Sequence, residues 1–466
     1  MGVLFLANFM NLIDVSIINV ALPRIQAETG ATATQLEWVA ATYILALAVG
    51  LLPCGRFGDV FGRRRLFLWG LAGFTAASAL CGAAPGISGL IAARTLQGIA
   101  AAMMVPQVLA IVHVIFPPEE KSRVFGLFGT ISSLGVVVGP VIGGALISAD
   151  PGGLGWRTIF LINLPLGAAA LIGALHFIPD LKSENDLRPD WGGTLLFGVA
   201  IVLLVLPLTE GRGLGWPWWT FAALAASIPT AIVFVKWEFR QAKRGLPVLM
   251  PMGLLTDPVF LTRLGLVTMF VSGIPGLFLI LAIYLQSGLG FSPLQSGLAI
   301  APFPIGVLLA SFTTEKLGNR HLTLRIAAGA AVLLVGMAVL QRIIQSHGAG
   351  LAATDFAPPL VICGFGMGSA IMALFQVTMS GVSAKDAGAG SGAMQAFQQL
   401  GAVLGIAIVG QIFFSVLGDD AVPAHVATAD SLAAAMTIST WYPIAIYCAL
   451  AIGLGWSVLR QRKVSQ

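Results

Sequence analysis

Runs of about 20 apolar residues recur along the whole chain, separated by short polar segments. One such run, wound as an α-helix, is long enough to cross a hydrocarbon core of about 30 Å. The chain is 57% hydrophobic and has a mean hydropathy of +0.92, well above what soluble globular domains show. The sequence therefore predicts an all-α integral membrane protein with many spanning helices.

The apolar runs divide the chain into fourteen predicted spans. No basic segment or small-residue cleavage site accompanies the first span, so we expect a retained helix rather than a signal peptide. The predicted spans are 2–22, 37–54, 66–84, 88–111, 123–147, 158–178, 192–209, 219–236, 259–284, 294–312, 323–344, 357–380, 390–416 and 440–459.

Most of the 25 lysines and arginines fall on one side of this topology. The positive-inside rule then predicts a cytoplasmic N-terminus and a cytoplasmic C-terminus. The basic residues are spread over several short segments rather than gathered in one patch, so a nucleic-acid partner is not indicated. The five histidines and four cysteines are scattered without ligand spacing, and no metal centre, disulfide framework or enzyme active site is indicated.

The polar stretch 237–258 looks like a cytoplasmic linker between two halves. Parallel halves of six helices are a recurrent plan among transporters, and fourteen spans would then divide as six, two and six. We therefore expect an N-terminal six-helix bundle over 1–178, an inserted helix pair with a cytoplasmic linker over 179–258, and a C-terminal six-helix bundle over 259–466.

Asp14 is the only carboxylate that we expect within a span. An ionised aspartate near the bilayer centre costs roughly 3 kcal/mol even on lenient scales, so it needs a partner or a wet cavity. Arg94, in the fourth span, lies at a similar depth, roughly 9–12 Å below the outer boundary. Depth therefore permits an ion pair, whose role is either proton coupling or the structural locking of two helices.

Glycines recur every four residues in the fifth predicted span, in "GVVVGPVIGG". Gly135, Gly139 and Gly143 share one helix face, a spacing that lets two backbones approach closely. Pro140 favours a kink, and Gly144 adds a second small residue. The alternative is ordinary helix packing without a functional role.

The stretch "GRFGDVFGRRR" concentrates charge in a chain that is only 10% charged. Arg63 and Arg64 suit cytoplasmic anchoring. We expect Gly55 and Gly62 to form a tight turn between two helices. Anchoring does not explain Asp59.

Polar side chains within spans are candidates for substrate contacts, although helix packing uses the same residue types. They are Asn19, Tyr43, Gln97, Gln107, Gln376 and Gln395.

Together these motifs resemble the major facilitator superfamily, and specifically its fourteen-helix drug:proton antiporter family of the multidrug or quaternary ammonium efflux type. The likeness rests on "GRFGDVFGRRR", "RTLQGIAAA", "GVVVGPVIGG", "DVSIINVALP" and "WRTIFLINLP". It implies that Asp14 and Arg94 couple protons, that the fifth-span glycines pack helices as in antiporters, and that Asp59 with its neighbouring arginines forms a cytoplasmic latch stabilising the outward-facing state.

The resemblance also implies a function: multidrug efflux of lipophilic, cationic or neutral small molecules by alternating access, driven by the proton gradient without a cofactor. We expect a monomer in the bacterial cytoplasmic membrane, with substrate, protons and lipid as its partners. The alternatives are a dedicated exporter of one endogenous metabolite or antibiotic and, last, an integral-membrane enzyme, for which the chain offers no catalytic cluster.

Overall fold

The computed structural model describes residues 1–116, 131, 135, 138–179, 189–317, 321–347, 350–383, 386–418 and 428–464. Within these ranges every regular element is helical, and 13 helices are long and apolar enough to cross a membrane. With the shorter apolar helix α5, the helices in chain order are α1 Gly2–Thr29, α2 Ala33–Phe61, α3 Arg63–Gly82, α4 Ile87–Val112, α5 Val138–Ala149, α6 Gly155–Phe177, α7 Trp191–Glu210, α8 Trp218–Lys243, α9 Pro258–Gly288, α10 Pro293–Phe312, α11 Leu322–Ser346, α12 Ala353–Met379, α13 Gly388–Leu417 and α14 Ala429–Trp456.

Thirteen of the predicted spans coincide with these helices, which confirms the all-α membrane fold. The fifth predicted span, 123–147, lies mostly outside the described residues, and α5 contains only its C-terminal part. A total of fourteen spans stays a prediction.

Local chemistry sets the first helix ends. Gly30 adopts a left-handed conformation (φ 67°) and ends α1, as glycine readily does after a helix. Thr32 and Gln35 form a capping box that starts α2, satisfying backbone donors at the helix N-terminus. Gly62, at φ 92°, separates α2 from α3, so the chain reverses direction there.

Helix α9 is broken between Ser272 and Pro275. The Ile274 amide donates to the Val271 carbonyl (3.3 Å) instead of to Phe270, as a regular helix would require. The Tyr447 hydroxyl of α14 donates to the freed Phe270 carbonyl (3.1 Å). A neighbouring helix thus satisfies the interrupted backbone inside the membrane, as irregular backbone at that depth requires.

The helices pack as two groups with a pair between them. The first four helices and α6 pack on one another, and α9 to α14 form the second group. Helix α7 packs against α8 and also against α2 and α13, one helix from each group. Helix α7, the first helix of the pair, therefore touches both groups.

The two ends of the helices define two faces. We call the end that carries the α1–α2 turn the Gly30 face and the end that carries the α2–α3 turn the Gly62 face. Toward the Gly30 face, the Gln286 side chain of α9 donates to the Val20 carbonyl (2.8 Å). The Leu294 amide of α10 donates to the Ser148 hydroxyl (3.3 Å). Both bonds join one half of the protein to the other and hold the Gly30 face closed.

Candidate functional site

The centre of the N-terminal group is an ion pair between Asp14 and Arg94. Arg94 Nη1 donates to Asp14 Oδ2 at 2.5 Å, and both side chains are 0% exposed. Their sequence separation of 80 residues is bridged because α1 and α4 pack directly together. The similar depth expected from the sequence permits this pair, and the structure brings the two side chains together.

Polar side chains from three further helix positions surround this pair. The Gln97 amide donates to Asp14 Oδ1 (2.8 Å) and to the Ser78 hydroxyl (2.9 Å), while its oxygen accepts from Arg94 Nη1 (2.7 Å). Asn163 of α6 donates to Asp14 Oδ1 at 3.3 Å. Helices α1, α3, α4 and α6 therefore meet in one buried hydrogen-bonded network, which we call the Asp14 cluster.

The guanidinium of Arg94 has other neighbours besides the carboxylate. Its Nε donates to the Val39 carbonyl of α2 (3.3 Å). Its Cζ lies 4.4 Å from the ring centre of Tyr43 and 5.8 Å from that of Phe160, distances at which cation–π attraction acts. The Tyr43 hydroxyl in turn donates to Asn11 Oδ1 at 2.5 Å. Both carboxylate oxygens of Asp14 are hydrogen-bonded, whereas Arg94 Nη2 is buried without a hydrogen-bond partner among the described residues and has only the aromatic rings beside it.

This arrangement sets a condition for proton binding. A buried cation left without its anion is strongly unfavourable. Protonating Asp14 while Arg94 stays in place would create that situation. A proton-coupling role for Asp14 would therefore require a movement that separates the pair or admits water.

The fifth-span glycines lie against α1 around Asp14. A Cβ added at Gly139 would collide with the Ser16 hydroxyl, and one at Gly143 would collide with Ile17; at Gly135 it would press on Leu12. The three glycines therefore allow close contact with α1 on both sides of the helical turn that carries Asp14.

The other face of α5 contacts the C-terminal half. A Cβ at Gly144 would collide with the backbone of Pro293 and Leu294, and one at Gly297 with the carbonyl of Pro140. The same short helix thus packs against α1 and, across the interface between the halves, against α10.

The charged residues on either side of the α2–α3 turn are held by contacts within the N-terminal group. Asp59 accepts from Arg63 at 3.0 Å. Arg63 also donates to the Ala110 carbonyl of α4 (3.2 Å), and Arg64 donates to the Leu175 carbonyl of α6 (2.9 Å). The loop thus joins α2, α3, α4 and α6 at the Gly62 face.

One expectation for this loop is wrong. Gly55 lies inside α2, which continues to Phe61, and the turn falls on Gly62 alone. Only Gly62 has the positive φ that a tight turn needs, and a glycine within a helix is tolerated at a modest cost of about 1 kcal/mol.

The residues named as substrate candidates lie in different surroundings. Gln97 belongs to the Asp14 cluster, and the ring of Tyr43 lies against Arg94 of that cluster. Gln107 is 1% exposed and donates to the Cys54 carbonyl (2.9 Å), which places it between α4 and α2. The other three, Asn19, Gln376 and Gln395, are half-buried.

The expectation that Asp14 is the only carboxylate within a span is also wrong. Glu37 lies in α2 and is 0% exposed, 3.6 Å from Arg212. Glu238, near the end of α8, is buried as well and accepts from the Met250 amide (3.2 Å). Both acids fall at or beyond the edges of predicted spans, where composition gives no sign of burial.

The sequence matches the family model of the Major Facilitator Superfamily over residues 4–406. It is 38% identical over 422 residues to a Streptomyces coelicolor protein named "Probable actinorhodin transporter", covering 90% of this chain and 73% of that one. It is 32% identical to "Multidrug resistance protein Stp" of Mycobacterium tuberculosis (87% and 73% covered). Identity to the "Tetracenomycin C resistance and export protein" of Streptomyces glaucescens is 30% (87% and 74% covered).

Solved structures share the fold at low sequence identity. A POT family transporter in complex with a thioalcohol-conjugated peptide superposes with a TM-score of 0.69 at 14% identity, covering 100% of this chain and 96% of that chain. A bacterial homologue of the human drug peptide transporters gives 0.66 at 16% identity (99% and 98% covered). These likenesses concern the arrangement of helices.

Proposed function

Because this chain belongs to the Major Facilitator Superfamily, whose members are membrane transporters rather than enzymes, we propose that it is a proton-coupled antiporter that exports lipophilic, cationic or neutral small molecules. The observation that carries the proposal is the buried Asp14–Arg94 pair at the centre of the N-terminal helices. An acid so placed within a membrane is a functional-site candidate. Relatives named for multidrug resistance and antibiotic export support the substrate class.

The proposed cycle uses alternating access. The N-terminal bundle (1–178) and the C-terminal bundle (259–466) rock about a central site, with the inserted pair and linker (179–258) between them. The Gly62 face, rich in arginine, is cytoplasmic, and both chain termini lie on that side. In the state described here, Asp14 and Arg94 neutralise each other. Both residues belong to the N-terminal bundle, so rocking does not pull them apart; it opens the central site to water, and Asp14 exchanges a proton there.

The membrane potential and the pH gradient supply enough free energy for export against a concentration gradient. A membrane potential of 100 mV supplies about 2.3 kcal/mol for each net charge that moves inward, which corresponds to roughly fifty-fold accumulation outside of a neutral substrate exchanged for one proton. A pH gradient adds to this. Exchange of one proton for a singly charged cation moves no net charge, so the pH gradient alone drives that exchange. No cofactor is needed, and a monomer contains the complete pathway.

Export of a single antibiotic is the second candidate function. The relatives named for actinorhodin and for tetracenomycin C favour it, and the same coupling machinery would serve. Susceptibility profiling of a deletion strain distinguishes the two, since sensitivity to several unrelated compounds indicates multidrug export and sensitivity to one indicates the dedicated exporter.

A reconstituted transport assay tests the proposal. Purified protein in proteoliposomes, given an imposed pH gradient, should accumulate the fluorescent cation ethidium against its gradient. Asp14→Asn should abolish the gradient-driven component. The matched control is Glu28→Gln, which removes a carboxylate from a part-exposed ion pair in the same helix. Ethidium transport by Asp14→Asn with unchanged pH dependence would refute the coupling role of Asp14.

A further inference from the structure

The second buried ion pair lies at the Gly30 face and involves the inserted helix pair. Glu37 is in the first turns of α2, and Arg212 is in the turn after α7. Arg212 Nη2 lies 3.6 Å from Glu37 Oε1, and their side chains are 11% and 0% exposed. This pair joins the N-terminal group to the α7–α8 hairpin.

Each partner also contacts α13 of the C-terminal group. The Glu37 carboxyl lies against Gly410, where an added Cβ would come within 2.8 Å of the carboxyl carbon. The Arg212 guanidinium carbon is 5.2 Å from the ring centre of Phe414, one helical turn further along. The glycine leaves room for the acid and the phenylalanine offers a ring face to the cation, so α13 receives both ends of the ion pair.

A neighbouring hydrogen bond strengthens the attachment to α2. The indole nitrogen of Trp38 donates to the carboxylate of Glu210, the last residue of α7. Successive residues of α2 thus bind two residues at the end of α7. Charge-assisted hydrogen bonds of this kind are among the stronger polar contacts.

We propose that Glu37, Arg212 and Phe414 form a clasp, by which the inserted helix pair holds the Gly30 face of the transporter closed. The inference rests on the alternating-access function proposed above. Opening this face requires α2 to move away from α13. That movement separates Glu37 from Gly410, and Arg212 cannot then stay with both Glu37 and Phe414.

The clasp assigns a function to α7 and α8. Without the hairpin, the closed Gly30 face would rest on the direct contacts between the halves, such as Gln286 with Val20 and Leu294 with Ser148. The arginine adds a contact that exists only while α2 and α13 are together. It therefore biases the conformational equilibrium toward the closed face without taking part in substrate or proton binding.

Distance measurement between spin labels tests the clasp directly. Labels on Ala27→Cys in α1 and Ser415→Cys in α13 report the opening of the Gly30 face, since both residues are exposed. Cys448 is replaced by serine, while the other three cysteines are buried. In purified protein without substrate or proton gradient, Arg212→Gln should raise the population with the longer distance at least about five-fold, the lower end of typical conformational couplings.

Two further variants identify the pair as the cause. Glu37→Gln should give a similar increase, and the double variant Glu37→Gln, Arg212→Gln should add little to either. The matched control is Arg24→Gln, which breaks an ion pair within α1 and should leave the distances unchanged. If Arg212→Gln fails to fold, Phe414→Leu decides: a longer-distance population supports the clasp, and a wild-type distribution overturns it.

An unchanged distance distribution in folded Arg212→Gln and Glu37→Gln would refute the clasp whatever the transport activity. Conversely, a clasp that opens as predicted while Asp14→Asn still couples protons would refute the coupling role of Asp14 alone. The two proposals therefore fail separately.

Discussion

Replacing Asp14 and Arg94 together should lower the free energy of unfolding by less than the sum of the two single replacements. Arg94→Met leaves the Asp14 carboxylate buried with only Gln97 and Asn163 as donors. Asp14→Asn leaves the Arg94 cation with the Gln97 oxygen, the Val39 carbonyl and two aromatic rings. The cation thus keeps two aromatic rings besides its hydrogen-bond acceptors, although its Nη2 has no hydrogen-bond partner among the described residues.

The expected magnitudes follow from that difference. Removing one member of a buried ion pair costs about 3–5 kcal/mol, and Arg94→Met should lie in this range. Cation–π contacts in a desolvated site contribute about 2 kcal/mol, so Asp14→Asn should lose correspondingly less. The double variant leaves no uncompensated charge. Its loss should therefore be smaller than the sum of the two single losses by roughly 2 kcal/mol or more.

A double-mutant cycle measures this coupling. The free energy of unfolding is obtained for wild type, both single variants and the double variant from denaturant titrations in mixed micelles, followed by tryptophan fluorescence. The control cycle uses Arg24 and Glu28, whose part-exposed pair within one helix should couple by only about 0.3–0.5 kcal/mol. Additive losses for Asp14 and Arg94 would show that the buried pair is not energetically coupled, and our reasoning would be refuted.

Three further variants test other contacts. Gly139→Ala should lower stability by about 1–3 kcal/mol because its Cβ collides with the Ser16 hydroxyl, and Ser16→Ala should restore part of the loss in thermal unfolding. Gly62→Ala should cost about 1–2 kcal/mol, since its φ of 92° strains any residue with a Cβ; Gly453→Ala, at a position with open space, serves as its control. Asp59→Asn should slow the initial rate of transport and leave the affinity for ethidium unchanged, and an unaffected rate would reduce the loop to a membrane anchor.

Most of the fold is readable in the sequence because each spanning helix is encoded locally. Twenty apolar residues specify a helix in lipid whatever the rest of the chain does, since backbone groups must bond internally there. The sequence also permits the pairing of Asp14 with Arg94, for a related reason. The position of a residue within its predicted span gives its depth in the membrane, and Asp14 and Arg94 lie at a similar depth.

The parts that the sequence does not reveal depend on contacts between distant segments. Glu37 is buried by contacts with Arg212 and Gly410, which are more than 170 residues away in the sequence. No local sequence pattern predicts these contacts. Ser78 joins the Asp14 cluster through Gln97, yet a serine in a membrane helix is an ordinary packing residue. The wrong prediction of a turn at Gly55 has a local cause. A glycine in the sequence forms a tight turn only where its φ is positive, which holds for Gly62 and not for Gly55.

Proton release on substrate binding tests the central claim most directly. Purified protein in weakly buffered detergent solution is mixed with ethidium while a pH indicator reports protons released. If Asp14 carries the coupled proton, wild type releases protons on ethidium binding, Asp14→Asn binds ethidium without release, and Glu28→Gln behaves like wild type. Equal proton release by Asp14→Asn and wild type would contradict the account.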